Sequence, residues 1–344
     1  MTTNKTIGEI ARLAGVGTAT VDRVLNGRPG VAPETAAKVR EAMKSLAVDS
    51  PARGRPRKAV GYRVAFVLPA TRLPLFDMVD RQIAQMAGDF RHLHITEVTH
   101  RFDPGDPDRF AKDLASLEEY DGVVLFAPDV PPIKLAVNEL VRAGVQVITL
   151  MSDLAGSLRA SHVGVDNRAA GRTAGLLIGR IIGSARPATV LLTAQPTRYA
   201  SEIDRRVGFA QLLEERYPNI AIRRLLDLPS GEEDATAAVA RLLDRPDQRD
   251  GLAGVYNIGS CTYGVMRALR SAGFAADFAS VAHDLNEGNR RLLANGSLSF
   301  VLHQDFHDCV MTATKALLAL RESLRGPLIA VPPRLEIITS ENLT

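Results

Sequence analysis

From Tyr62 onward, the chain repeats a short apolar run followed by an amphipathic stretch, and units of this kind predict a parallel sheet covered on both faces. Arg63 to Leu68 predicts a buried strand and Phe76 to Phe90 a helix. Asp121 to Phe126 and Gly144 to Leu150 predict further strands, with a helix near Ile133 to Ala143 between them. The cycle then restarts. Strands are predicted at Ala188 to Thr193, Ile220 to Leu226, Gly254 to Tyr256 and Ala279 to Ala282. Helices are predicted near Asn167 to Ile182, Glu202 to Arg216, Asp234 to Asp244 and Tyr263 to Ala272. Two units in succession imply two α/β lobes with a cleft between them, lined by the residues that follow each strand. Asp166 or Asn167 is placed to cap the helix that opens the second lobe. Gly171, Gly175 and Gly179, four apart, let one face of that helix approach a neighbour closely.

The first 46 residues follow a different pattern. Ile7, Ile10, Ala11 and Ala14, then Val16, Val21, Val24 and Leu25, give two short amphipathic helices around a tight Gly15-Val16-Gly17 turn, the pattern of a helix-turn-helix. Thr6 and Glu9 predict a capping box at the first helix start. A third helix should begin at Pro33, with Val39, Met43 and Leu46 facing the core. The second helix then exposes Thr18, Ala19, Asp22, Arg23 and Asn26, a polar row narrow enough for a major groove. Charge agrees. Residues 1 to 60 hold eleven Lys or Arg against five Asp or Glu, a net of +6, and the remainder is net −3. A positive balance confined to one small module suits a phosphate-binding arm on a body with another task.

Residues 6 to 46 resemble the headpiece of the LacI/GalR family of bacterial transcription regulators, through Ala14-Gly15-Val16, Thr20-Val21 and Arg23-Val24-Leu25-Asn26. The resemblance implies that Thr18 and Ala19 open the recognition helix and that Thr20, Arg23 and Asn26 contact bases or nearby phosphates. Arg23 suits a bidentate contact with guanine and Ala19 a thymine methyl. Asp22 departs from the small hydroxyl residue usual there; it either pairs with Arg23 or accepts from a cytosine amino group. The linker, residues 47 to 60, also departs, having no leucine for the family's minor-groove wedge. Its Arg53-Gly54-Arg55-Pro56 resembles the core of an AT-hook, in which Arg53 and Arg55 would lie in a narrow A·T-rich minor groove. A merely basic, flexible linker is the other reading.

Residues 61 to 344 resemble the family's effector domain, a two-lobed fold like the periplasmic sugar-binding proteins. By that likeness the first lobe holds about 61 to 163 and a returning segment near 292 to 326; the second holds 164 to 291 and 327 to 344. Arg205, Asn257, Asp284 and Gln304 are implied as effector contacts, with Phe76 covering a sugar's apolar face and Asp153 a further polar contact. Planar amide, carboxylate and guanidinium groups can each bridge adjacent hydroxyls. A homodimer on an inverted-repeat operator of double-stranded DNA follows from the same resemblance. A non-sugar polar effector, and an architectural DNA binder with no effector, are the alternative readings.

Enzyme signatures are missing: the first βα turn lacks Gly-x-Gly-x-x-Gly, and neither a Walker motif nor a Gly-x-Ser-x-Gly elbow occurs. No cofactor or metal is implied. His92, His94 and His100 lack zinc-site spacing and read as surface residues, and the two cysteines, Cys261 and Cys309, as buried thiols. Without a run of about twenty apolar residues or a signal-peptide core, the chain is expected to act in the cytoplasm, without a membrane partner.

Overall fold

The computed structural model describes residues 3–25, 30–45, 61–71, 73–90, 93–196, 198–274, 278–321 and 333–343. The chain divides into two compact units, Met1–Val60 and Gly61–Thr344. Asn26, Leu46 and the linker, with Arg53 and Arg55, lie outside the described residues.

The first unit is three helices: α1 (Thr3–Ala14), α2 (Thr18–Leu25) and α3 (Pro33–Ser45). Ile10, Ala11, Val21, Val39 and Ala42 form its core. The turn after α1 is set by Gly15, whose φ of +64° is the left-handed conformation that a side chain disfavours. Val16 N donates to Ala11 O (3.0 Å) and Gly15 N to Arg12 O (3.4 Å), the paired bonds that close a Schellman cap and turn the chain sharply into α2. One expectation fails. α1 starts at Thr3, so Thr6 lies a turn inside the helix and does not cap it.

The second unit begins with β1 (Tyr62–Pro69), α4 (Pro74–Asp89), β2 (Ile95–Phe102), α5 (Pro107–Ala115), β3 (Gly122–Leu125), α6 (Pro131–Arg142), β4 (Gln146–Leu150) and β5 (Ser161–Val163). These strands make one parallel sheet, ordered β2-β1-β3-β4-β5. β1 is buried along nearly its whole length, as a central strand covered on both faces must be, and reads directly from its apolar run. β2, absent from the sequence reading, is a half-exposed edge strand whose polar residues dilute that signal.

There follow α7 (Asn167–Ile182), β6 (Ala188–Thr193), α8 (Ala200–Arg216), β7 (Ile220–Leu225), α9 (Glu232–Leu243), α10 (Pro246–Arg249), β8 (Leu252–Asn257), α11 (Thr262–Ser271), β9 (Ala279–His283), α12 (Glu287–Ala294), β10 (Phe300–Gln304), α13 (Phe306–Arg321) and β11 (Leu335–Ile338). The second sheet is ordered β11-β10-β9-β8-β6-β7. It is parallel except at one edge, where β11 runs antiparallel to β10. Asp166 caps α7, its side chain accepting from Ala169 N. α7 and α8 pack so closely that a Cβ at Gly171 would stand 1.9 Å from the Arg205 carbonyl oxygen.

The returning segment is shorter than the sequence reading placed it. β10 pairs in parallel with β9, Phe300 opposite Val281 and Leu302 opposite His283, so α12 and β10 belong to the second lobe. Among the described residues, only α13 crosses back, burying Phe306, Cys309, Val310, Ala313 and Leu317 against β1 and α4 of the first lobe. Its apolar face fits that lobe, whereas the backbone of β10 completes the other sheet. Among the described residues, no helix is long and apolar enough to cross a membrane, and no group of three or more His, Cys, Asp or Glu is arranged to hold a metal ion.

Candidate functional site

The carboxyl ends of strands from both sheets face one cleft of about 560 Å³. Four of the six residues expected there line it: Phe76, Arg205, Asp284 and Gln304.

Arg205 projects from α8 and is 6% exposed. Its Nε donates to Asn167 Oδ1 (2.8 Å) and its Nη1 to the Ile258 carbonyl (3.3 Å). Asn167 is itself anchored, donating to the carbonyls of Met151 (3.3 Å) and Val165 (3.2 Å). A buried guanidinium needs such partners, and these fix the direction in which its remaining N–H groups point. Asn167 had only a helix-end role in the sequence reading; its hold on Arg205 depends on the packing of α7 against α8.

Asp284 follows β9 with φ +63°, a left-handed conformation that aspartate tolerates better than most residues. Its backbone is tied down: its N–H donates to Leu302 O (3.0 Å), and its carbonyl accepts from Asn286 N (2.8 Å) and Asn289 Nδ2 (2.8 Å). The carboxylate is not. Asp284 Oδ1 is buried with no hydrogen-bond partner among the described residues, and the same holds for Gln304 Oε1 on a residue only 3% exposed. Two buried acceptors left open at the wall of a cleft are costly unless a donor arrives to meet them.

Asp153 and Asn257 do not line the cleft. Asp153 accepts from Arg159, from Thr149 Oγ1 (2.9 Å) and from Leu154 N (2.7 Å). Burial acts to raise its pKa, but the bonds from Arg159 and the charge of His162 outweigh it and hold the carboxyl below its ordinary value. With its acceptors occupied it braces the loop after β4. Asn257, 1% exposed, accepts from Thr193 Oγ1 (2.8 Å) and donates to Thr262 Oγ1 (2.9 Å) and the Ser260 carbonyl (3.0 Å). It shapes the loop that carries Ile258, the carbonyl partner of Arg205.

Phe76 sits in the first turn of α4, 4% exposed, with the Arg101 guanidinium 5.5 Å from its ring centre. The cleft also gathers residues the sequence reading missed, among them His283, Tyr199 and Glu202. Glu202 stands one turn before Arg205 on α8, a spacing that could have revealed it. His283, 4% exposed, shares a 2.7 Å hydrogen bond with the Tyr256 hydroxyl. Burial, and then the nearby Arg205 charge, push its pKa well below the ordinary histidine value, so the ring is neutral at neutral pH. Of the three histidines expected at the surface, His94 is exposed, but His100 is half-buried and shares a 2.9 Å bond with the Tyr120 hydroxyl; His92 lies outside the described residues.

In the first unit, α2 buries Val21 completely and leaves Thr18, Ala19 and Arg23 exposed, with Thr20 and Asp22 half-exposed. A helix held by one apolar face, with polar residues exposed on the opposite one, is what groove reading requires.

Residues 6–47 match the family model described as bacterial regulatory proteins, lacI family, and residues 64–324 match the periplasmic binding protein domain. Over 79 residues the chain is 42% identical to the HTH-type transcriptional regulator reg1 of Streptomyces lividans and 40% identical to MalR of Streptomyces coelicolor. Each match spans 23% of this chain and 22% of the relative's own length. The fold is shared more widely. A putative LacI transcriptional regulator from Bacteroides fragilis superposes with a TM-score of 0.71 at 20% identity, over 82% of this chain and 98% of that one. A solute-binding protein from Burkholderia graminis, solved in complex with D-arabinose, gives 0.74 at 18% identity, over 84% of this chain and 98% of its own. The chain thus belongs, over residues 64–324, to the periplasmic binding protein domain family, and carries at residues 6–47 a helix-turn-helix of the lacI family of bacterial regulatory proteins.

Proposed function

We propose that the protein is a cytoplasmic transcriptional repressor of carbohydrate-utilisation genes whose effector, a sugar or sugar derivative, binds in the interlobe cleft through Arg205, Asp284 and Gln304, against Phe76. The observation that carries this reading is the pair of open buried acceptors, Asp284 Oδ1 and Gln304 Oε1, beside an oriented guanidinium. Adjacent hydroxyls are donors and acceptors at once, so one polyol edge can satisfy both kinds of group. The sugar-bound state of the Burkholderia neighbour supports the ligand class, at the level of fold.

Two copies of the chain, joined through their effector domains, present their α2 helices to successive major grooves of an inverted repeat. Thr18, Ala19, Thr20, Arg23 and Asn26 read or hold the DNA, and Arg53 and Arg55 lie in the minor groove between half-sites. The ligand leaves unchanged, since the protein's task is sensing and not turnover. Effector that binds the DNA-incompetent arrangement of the lobes about 100-fold better supplies about 2.7 kcal/mol of coupling.

The test has two stages. Thermal-shift screening of pentoses, hexoses, polyols and their phosphates identifies compounds that enter the cleft. Fluorescence anisotropy on an operator obtained by in vitro selection then measures their effect on DNA affinity. A bound sugar should shift DNA affinity, downward if it induces and upward if it co-represses; a set of cleft-binding compounds that all leave it unchanged would end the proposal.

A further inference from the structure

Between the two lobes, one short segment of the second makes several direct contacts with strand ends of the first. Tyr199, just before α8, stacks its ring on Phe126, which follows β3: the ring centres are 4.8 Å apart and the planes 20° from parallel. Phe126 is 7% exposed and tilts in turn against Phe76, 5.7 Å away. Beside the stack, Asp129 N donates to the Arg198 carbonyl (2.7 Å), and Ser201 N donates to Ser152 Oγ (3.3 Å), Ser152 standing just after β4. The segments after two strands of the first lobe, β3 and β4, are thus engaged from one short segment of the second. All of these contacts run from protein to protein, so none depends on a ligand atom in between.

We infer that residues 198–201 form a clasp, with the Tyr199–Phe126 stack at its centre, that holds the lobes together at this rim whether or not effector is bound. The physical basis is simple. Parting the lobes would bare two ring faces to water and break two hydrogen bonds. Burial, and then the charge of Glu202, raise the Tyr199 pKa, so the ring stays uncharged across the working pH range. The closed arrangement is therefore the resting state at this edge, and effector reaches Arg205 by way of the opposite rim, between Asp103, just after β2, and Glu232 at the start of α9. A resting state already close to the binding-competent one raises apparent affinity, because little binding energy is spent on closure.

The experiment needs no effector. Spin labels on the full-length protein at Asp108→Cys (α5) and Ala237→Cys (α9), both exposed positions on opposite lobes, report the interlobe distance by pulsed electron resonance; Cys261 and Cys309 are buried and take no label. Without sugar, the parent protein should give one short, narrow distance, and Tyr199→Phe the same. Tyr199→Leu should raise the proportion of a longer distance about two- to tenfold, the range expected for an aromatic pair. Phe126→Leu, which removes the stack from the other lobe, should do likewise and stands in if Tyr199→Leu fails to fold. A parent distribution that is already broad and long, or one that neither leucine variant alters, would overturn the clasp. Because no sugar is present, either result is independent of which effector class the cleft accepts.

Discussion

Asp284 and Gln304 carry a cost in the folded protein that an effector in the cleft would offset. Each holds a buried acceptor with no partner among the described residues, at about 1–3 kcal/mol for such an atom. The consequence has opposite signs for stability and for binding. Gln304→Leu removes the open amide from a site 3% exposed and should leave the sugar-free protein as stable or up to about 1 kcal/mol more stable, while weakening the effector about three- to tenfold. Calorimetric melting and titration on one preparation measure both; unchanged effector affinity would remove Gln304 from the site. Asp284→Asn keeps the left-handed backbone and should lose at least as much affinity, because the charged acceptor gives the stronger hydrogen bond. At this scale the sequence was partly legible. Arg205 was implied by the family resemblance, and it lines the cleft. Asp153 and Asn257 sit as close to strand ends, yet their polar atoms are spent on other protein groups: Asp153 on Arg159, six residues on in its own loop, and Asn257 on Thr193, 64 residues away on β6.

Elements gave themselves away where local chemistry fixes their ends. α7 runs from Asn167 to Ile182 as predicted, because Asp166 caps its start and Gly183 ends it with positive φ. α1 did not yield its start, since Thr6-Glu9 has the form of a cap inside a helix that begins earlier. Two glycines make the clearest tests. Gly15→Ala forces a side chain into a backbone of φ +64° at the α1–α2 turn and should lower headpiece stability by about 1 kcal/mol, read as a reduced melting temperature and weaker operator binding. Gly171→Ala sets a methyl against a carbonyl oxygen that cannot step aside. Overpacking of this kind costs about 1–3 kcal/mol or more, and because the atom struck belongs to Arg205, effector affinity should fall along with stability. A Gly171→Ala protein with the parent's denaturation midpoint would mean that α7 and α8 are not packed this closely.

For the whole molecule, acid should be destabilising in a defined window. The folded-state pKa of His283 lies well below its ordinary 6.5, and burial lowers those of His162 and His100 in the same direction. Below pH 6.5 the unfolded chain takes up protons that the folded one refuses, so stability is complete above that pH and declines as pH falls toward the depressed folded values. The slope reaches about 1.4 kcal/mol per pH unit for each such group. Urea unfolding between pH 7.5 and 5 should show the decline, and His283→Gln should flatten it; a parent curve level across this range would refute the assignment. The amino-acid sequence by itself determined the helix-turn-helix, the βα rhythm and most of the strands, because capping, turn chemistry and apolar periodicity act over a few neighbouring residues. Tertiary structure alone decided that β10 completes the second sheet while α13 returns to the first lobe. It alone decided which polar side chains were left open to the cleft, and that Tyr199 meets Phe126 across it. Those outcomes depend on which distant groups become neighbours, and a hydrogen-bonding group is spent or available only once its surroundings are in place.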